Sequence, residues 1–201
     1  STLRTGIEKS RNLMTVRVAQ KVGFEEISKT SNNFGIYNNI PELLSVSLGS
    51  AETTLLQLTN AYCTFVNGGK KVKPIFIDRI QNRRGKTIFS GDVKKCLGCE
   101  EISYLKEDLP TIEDNRKQII STESAYQITS MLEGVVKRGT GRKLRSLNLN
   151  LAGKTGTTNK NMDAWFLGFT SKIAIGVYVG FDEPKSLGRY ETGAKAALPI
   201  F

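Results

Sequence analysis

Residues 149–181 constrain the fold most tightly. Three apolar, strand-like segments, Leu149–Thr157, Asp163–Phe169 and Lys172–Phe181, follow one another with little chain between them. Thr170-Ser171 is the whole connection between the second and the third. A parallel pairing needs a crossover of a dozen or more residues, so these two strands must run antiparallel. Ile173, Ile175, Val177 and Val179 line one face of the last strand, while Ala174 and Gly176 on the other let a helix come close. A sheet that is apolar on both sides is expected to carry helices on both sides. The expected class is α+β, an antiparallel sheet covered by helices on both faces, with Gly193–Phe201 beginning a further helix packed on it.

The preceding sequence supplies helices. Met14, Val18 and Val22 are four apart, which predicts a helix over 11–22 with Ser10 as its N-cap and Gly23 as its stop. A short helix is expected over Glu25–Thr30, and the Asn-, Gly- and Pro-rich stretch 31–41 reads as loop. Leu55, Leu58, Tyr62 and Phe65 mark a helix stopped by Gly68-Gly69. Ala125, Ile128, Leu132 and Val135 mark another, bounded by Ser121 and Gly139. Between these two the period changes: Phe76–Ile80 and Thr87–Ser90 flank Asn82–Gly85 and predict a hairpin. Residues 91–118 are polar, charged and weakly periodic. The organisation expected is a mainly helical 1–76, a hairpin plus loop insertion over 77–118, and a helix followed by sheet over 119–201.

Composition narrows the chemistry. The 201 residues suffice for one domain. They hold no histidine, so this segment has neither a Ser-His-Asp arrangement nor the commonest zinc ligand. No metal or other cofactor is expected. Acid–base work near neutral pH must fall to lysine, carboxylates or hydroxyls. Lys and Arg outnumber Asp and Glu by 29 to 19, a net +10. The cations are scattered, with short pairs such as Lys70-Lys71 and Arg83-Arg84 and no aromatic-interleaved stripe, so a solvated basic surface is favoured over nucleic acid. Cys96 and Cys99 form a C-x-x-C without the further ligands of a zinc site, and a local disulfide is expected there; Cys63 reads as a small buried apolar residue. No apolar run is long enough to cross a membrane. The chain does not begin with methionine and is expected to be a piece of a longer protein.

Two short segments can carry chemistry. Ser10-Arg11-Asn12 stands at a loop-to-helix junction, and Lys154-Thr155-Gly156-Thr157-Thr158 lies on a strand. Thr155 and Thr157 project to one face of that strand and Lys154 to the other. Gly156 leaves the backbone bare, and an edge strand of this kind binds extended peptide by main-chain pairing. The threonine hydroxyls are placed to hold a terminal carboxylate, and the Thr157 N–H to donate to a developing oxyanion. Lys154, desolvated beside another cation, would have a lowered pKa and pass protons through Ser10. The Asn12 amide would orient a peptide bond. Asp163 and Trp165 are expected to anchor the strand after the motif, and Arg142 and Lys143 to lie on a solvated face.

The S-R-N and K-T-G-T-T segments resemble the second and third motifs of the penicillin-recognising serine acyltransferases. The likeness extends further. GIEKSRNLMTVR over 6–17, SLGSAETTLLQLTNAY from Ser47, MLEGVVKRGTG over 131–141 and LAGKTGTTNKNMDAWFLGFT from Leu151 are similar to class A penicillin-binding proteins, the bifunctional cell-wall synthases.

That resemblance implies the serine β-lactamase/DD-peptidase fold, here incomplete. It implies a membrane-anchored parent at the periplasmic face of a bacterial inner membrane, with a glycosyltransferase domain before the transpeptidase. It implies attack on the D-Ala-D-Ala end of a peptidoglycan stem peptide, an acyl-enzyme, and transfer to an amine of a neighbouring stem, with β-lactams trapping the serine. Ser10, Lys154 and Thr157 take the catalytic positions; Asn12, Thr155, Gly156 and Thr158 take the substrate-binding ones. The family's nucleophile lies in an S-x-x-K upstream of S-x-N. None occurs among the nine residues before Ser10, and Ser28-Lys29 does not fit the spacing. This segment alone is therefore expected neither to transpeptidate nor to be acylated by penicillin, and to need the missing upstream part of its domain.

Other readings are weaker. Gly153-Lys154-Thr155 would suit a phosphate-binding loop only with glycine at 148, where Asn148 stands. A β-lactamase or a non-catalytic penicillin sensor of the same superfamily is the main alternative, and a subunit supplying half a split site is another.

Overall fold

The computed structural model describes residues 1–91, 96–97 and 111–201, in two compact units: residues 1–72 with 118–201, and residues 73–117. The larger unit opens with α1 (Leu3–Glu8), α2 (Asn12–Val22) and α3 (Phe24–Phe34). Thr2 caps α1, its hydroxyl accepting from the Thr5 N–H at 3.2 Å. Gly23 ends α2 at φ +89°, as its position predicted. Two expectations need correcting here. Ser10 does not cap α2; Arg11 occupies that position, and Ser10 sits in the left-handed region at φ +52°. The stretch from 31 is not loop at once: α3 runs on to Phe34, because that ring is buried 5.4 Å from Phe65, and Gly35 at φ +74° then closes the helix. A 3-10 turn over Leu44–Leu48 leads to α4 (Leu55–Val66), opened by a full capping box between Thr54 and Gln57.

Among its described residues the smaller unit holds two antiparallel pairs. The expected hairpin is there, as β1 (Arg79–Gln81) against β2 (Thr87–Ser90). β3 (Cys96–Leu97) pairs with β4 (Thr111–Ile112). Cys99 lies outside the described residues, as does the side chain of Cys96, and with them the expected disulfide. Cys63, in α4, is half-buried and unpaired.

The larger unit resumes with α5 (Thr122–Arg138), capped by the Ser121 hydroxyl on the Ser124 N–H. A 3-10 turn over Arg142–Leu147 precedes the sheet, so β5 begins at Ala152 and not at Leu149. β5 (Ala152–Thr157), β6 (Ala164–Phe169) and β7 (Ala174–Val179) form one antiparallel sheet in sequence order, which leaves β5 on an edge among the described strands. A short π-helical turn, Gly193–Ala197, stands where a further helix was expected.

Both faces of the sheet are covered. On one, a Cβ at Gly176 would collide with Thr59 of α4, and Tyr62 meets Phe169 edge-on at 6.2 Å. On the other, Phe166 has no exposed surface and meets Phe201 at 4.8 Å, with Ala164, Ala197 and Leu198 around it. α5 lies along β5 and gives Val136 to the second core and Leu132 to the first. Truncating Phe166 to alanine removes the centre of a packed layer. It is expected to destabilise the domain by about 3–5 kcal/mol, read as a shifted midpoint in denaturant titration.

Candidate active site

The two segments singled out in the sequence meet. Ser10 Oγ accepts a hydrogen bond from Lys154 Nζ at 2.8 Å, across 144 residues of chain. A second bond from Nζ goes to the Thr155 carbonyl at 2.9 Å. Ser10 is presented by the tight α1–α2 turn, in which its own N–H donates to Ile7 and the Arg11 N–H to Gly6. Its positive φ is uncommon for a residue with a Cβ and marks a conformation fixed by its surroundings. Removal from water pulls the Lys154 pKa down to about 8. Among the described residues the cause is desolvation, with no neighbouring cation contributing.

The sheet hydrogen bonds fix where the β5 backbone points. The Thr158 N–H donates to the Asp163 carbonyl at 3.1 Å. In an antiparallel ladder bonded and non-bonded pairs alternate. With the register Gly156↔Trp165 and Lys154↔Leu167, those are bonded pairs, and Thr155 and Thr157 fall in the non-bonded ones. The N–H groups of Thr155 and Thr157 therefore face the open edge, away from β6.

The hydroxyls are partly engaged. Thr155 Oγ1 lies 2.8 Å from Thr140 Oγ1, and Thr157 Oγ1 accepts from the Gly193 N–H at 3.0 Å. Thr158 Oγ1 accepts from the Asp163 N–H at 2.8 Å. A hydroxyl that only accepts keeps its proton, so Thr157, Thr158 and one of the Thr140–Thr155 pair still have a donor to offer. Asn12 opens α2, is exposed, and makes no side-chain hydrogen bond to another described residue.

Gly156 serves the fold as well. A Cβ there would stand 3.1 Å from that of Trp165, and the backbone of Gly193 comes so close that a Cβ on Gly193 would collide with the Gly156 carbonyl. The near approach foreseen for a ligand is thus made on one face by the chain itself, while the edge is left to a partner strand. Asp163 accepts from the Tyr178 hydroxyl at 3.0 Å and Trp165 packs on Tyr178, consistent with anchoring roles. Arg142 and Lys143 are exposed. Thr140 and Gly193 were not foreseen as neighbours of the site; a hydroxyl between Gly139 and Gly141 was the available signal.

A family profile described as the penicillin binding protein transpeptidase domain matches residues 1–201. The chain belongs to the penicillin-binding protein transpeptidase family. Penicillin-binding protein 1A of Rickettsia typhi is 48% identical over 205 residues, covering 100% of this chain and 26% of that protein. The Pseudomonas aeruginosa protein of the same name is 36% identical over 99% of this chain and 28% of its own length. The crystal structure of penicillin-binding protein 1A from Haemophilus influenzae superposes with a TM-score of 0.83 at 33% identity, covering 98% of this chain and 32% of that one. An imipenem acyl-enzyme of penicillin-binding protein A from M. tuberculosis matches at TM-score 0.72 and 18% identity, a likeness of fold alone. This transpeptidase-family chain spans about a quarter of the length of the curated relatives it matches.

One S-x-x-K spacing does occur in the sequence, Ser103-Tyr104-Leu105-Lys106. It follows the S-R-N segment where the family pattern has it before, and it lies outside the described residues.

Proposed function

We propose that these residues form part of the D,D-transpeptidase domain of a bifunctional, membrane-anchored peptidoglycan synthase working at the periplasmic face of a bacterial inner membrane. The observation that carries this reading is the 2.8 Å contact of Lys154 Nζ with Ser10 Oγ beside an open strand edge. A nucleophilic serine upstream gives its proton to the lysine of its S-x-x-K and attacks the carbonyl of the penultimate D-Ala, the C–N bond to the last D-Ala breaks, and its nitrogen leaves with a proton. Lys154 supplies that proton through the Ser10 hydroxyl. The Thr157 N–H donates to the oxyanion. The β5 edge pairs with the extended donor peptide, and the Thr155, Thr157 and Thr158 hydroxyls hold its carboxylate. Asn12 orients the neighbouring peptide bond. The acyl group then passes to an amine of a second stem.

Residues 1–9 hold no S-x-x-K ahead of the S-R-N segment, so the 201 residues by themselves are expected to acquire no penicillin. Fluorescent penicillin is expected to label the full-length protein one-to-one, in competition with a peptide ending in D-Ala-D-Ala. The isolated segment is expected to show no added mass. Failure of the full-length protein to label would defeat the reading, rapid turnover of penicillin would point to a β-lactamase, and an adduct on the segment would place a competent serine within it.

A further inference from the structure

Glu8 is a buried carboxylate that the chemistry above does not use. Among the described residues it is the only charged side chain that is buried, with 8% of its side chain exposed against 55% for its partner Arg138. Both carboxylate oxygens are met by one guanidinium, Arg138 Nε lying 3.2 Å from Oε2 and Nη2 bonding Oε1. The Arg138 hydrogen bond holds the carboxyl below its ordinary pKa, with Arg4 and Lys9 adding to the effect.

Burying such a pair contributes little reliable stability, because an apolar replacement of similar volume is often as good. The geometry it fixes is the better guide to its use. α5 is cut away to admit it: Gly134 lies one turn before Arg138, and a Cβ there would collide with Glu8 Oε1. Gly139 has no room for a Cβ because the Glu8 carbonyl is there. That carbonyl accepts from the Thr140 N–H at 3.2 Å, and Lys9 Nζ donates to the Arg138 carbonyl at 3.0 Å. Three links thus fasten the end of α1 to the end of α5. Two residues beyond Glu8 stands Ser10, with its positive φ and its bond to Lys154. Two residues beyond Arg138 stands Thr140, 2.8 Å from Thr155 Oγ1.

We propose that Glu8 and Arg138 are positioning residues for acylation, clamping the Ser10 turn and the Thr140 turn in register with β5 so that Ser10 Oγ stays on Lys154 Nζ. This rests on the transpeptidase reading of the same site. A misplacement of about 1 Å at a reacting group can cost on the order of 10²-fold in rate. Substrate binding, made along the β5 edge, should change little.

The test uses the full-length protein and a labelled penicillin, measuring the acylation rate constant, the Kd of the preceding complex and the number of acylatable sites. Glu8→Gln keeps the shape and removes the charge. Gly134→Ala, a favourable exchange for helix propensity, closes the notch and leaves Glu8 itself unchanged. Both are expected to slow acylation by about 10-fold or more, with Kd and site number within about 3-fold of wild type. A fall in site number with a normal rate in the surviving sites would overturn the proposal, since that is the signature of a merely structural pair. If Glu8→Gln does not fold, Gly134→Ala decides alone. Lys154→Met separates the two readings. Normal acylation in Lys154→Met would sink the transpeptidase assignment, whereas slow acylation there with normal Glu8→Gln and Gly134→Ala rates would sink the clamp alone.

Discussion

Lys154→Met in the full-length protein is expected to slow penicillin acylation by about 10²–10⁴-fold, the range over which a positioned proton donor acts. Methionine keeps much of the length and none of the charge, so the proton that Ser10 passes to the leaving nitrogen is not replaced. The wild-type pH profile carries the same information. Lys154 donates to Ser10 Oγ and the Thr155 carbonyl, and its pKa stands at about 8. Acylation should therefore fall as pH rises through about 8, and the variant should lack that limb.

Stability should move independently of activity. Lys154 has its folded pKa depressed to about 8 from the ordinary 10.5. Between those values the unfolded chain holds a proton that the folded chain has released, so stability rises with pH across that window. Below it the desolvation penalty is present in full. Methionine abolishes the penalty, so the variant's Tm at pH 7 should match or exceed that of wild type, and its rise between pH 8 and 10 should be smaller. A variant that lost acylation and Tm together would show Lys154 to be holding the fold, and a pH-independent wild-type rate would remove it as the proton donor.

Why the site could be found in the sequence, and where that failed, follows from the range of the forces involved. β5 to β7 were legible because period-two patterning and the two-residue link at Thr170-Ser171 are local and leave one arrangement. Gly176 was legible too, since a missing Cβ in an apolar strand invites a helix, and Thr59 of α4 occupies that space. The course of α3 was not: Ser31, Asn32 and Asn33 favour loop by local hydrogen bonding, and only the burial of Phe34 against Phe65 carries the helix through them. Ser10 was placed near Lys154 by motif order, yet its left-handed backbone was not read: it belongs to the turn that closes α1, where the Ser10 N–H donates to Ile7 and the Arg11 N–H to Gly6, a place usually taken by glycine. Thr140 drew no reading of its own, because nothing local says which strand its hydroxyl will meet.

Thr157→Pro is expected to slow acylation by about 10²–10³-fold, the effect of losing one oxyanion donor. The substitution is selective because of the ladder's parity. Thr157 pairs with Ala164 in a non-bonded position, so its N–H faces the open edge and proline removes no bond to β6. Proline is tolerated on such an edge, and Gly156 before it has the conformational latitude the ring demands. The hydroxyl must be separated from the amide, since Thr157 Oγ1 accepts from the Gly193 N–H. Thr157→Val keeps the amide and discards the hydroxyl, leaving that N–H without its partner at a cost of about 1–3 kcal/mol. The valine protein should thus be less stable and bind penicillin more weakly, yet acylate within about 10-fold of wild type once saturated, since the oxyanion donor survives. Equal saturated rates for the proline and valine proteins would mean that the amide of residue 157 stabilises nothing in the transition state, and the oxyanion would have to be held elsewhere.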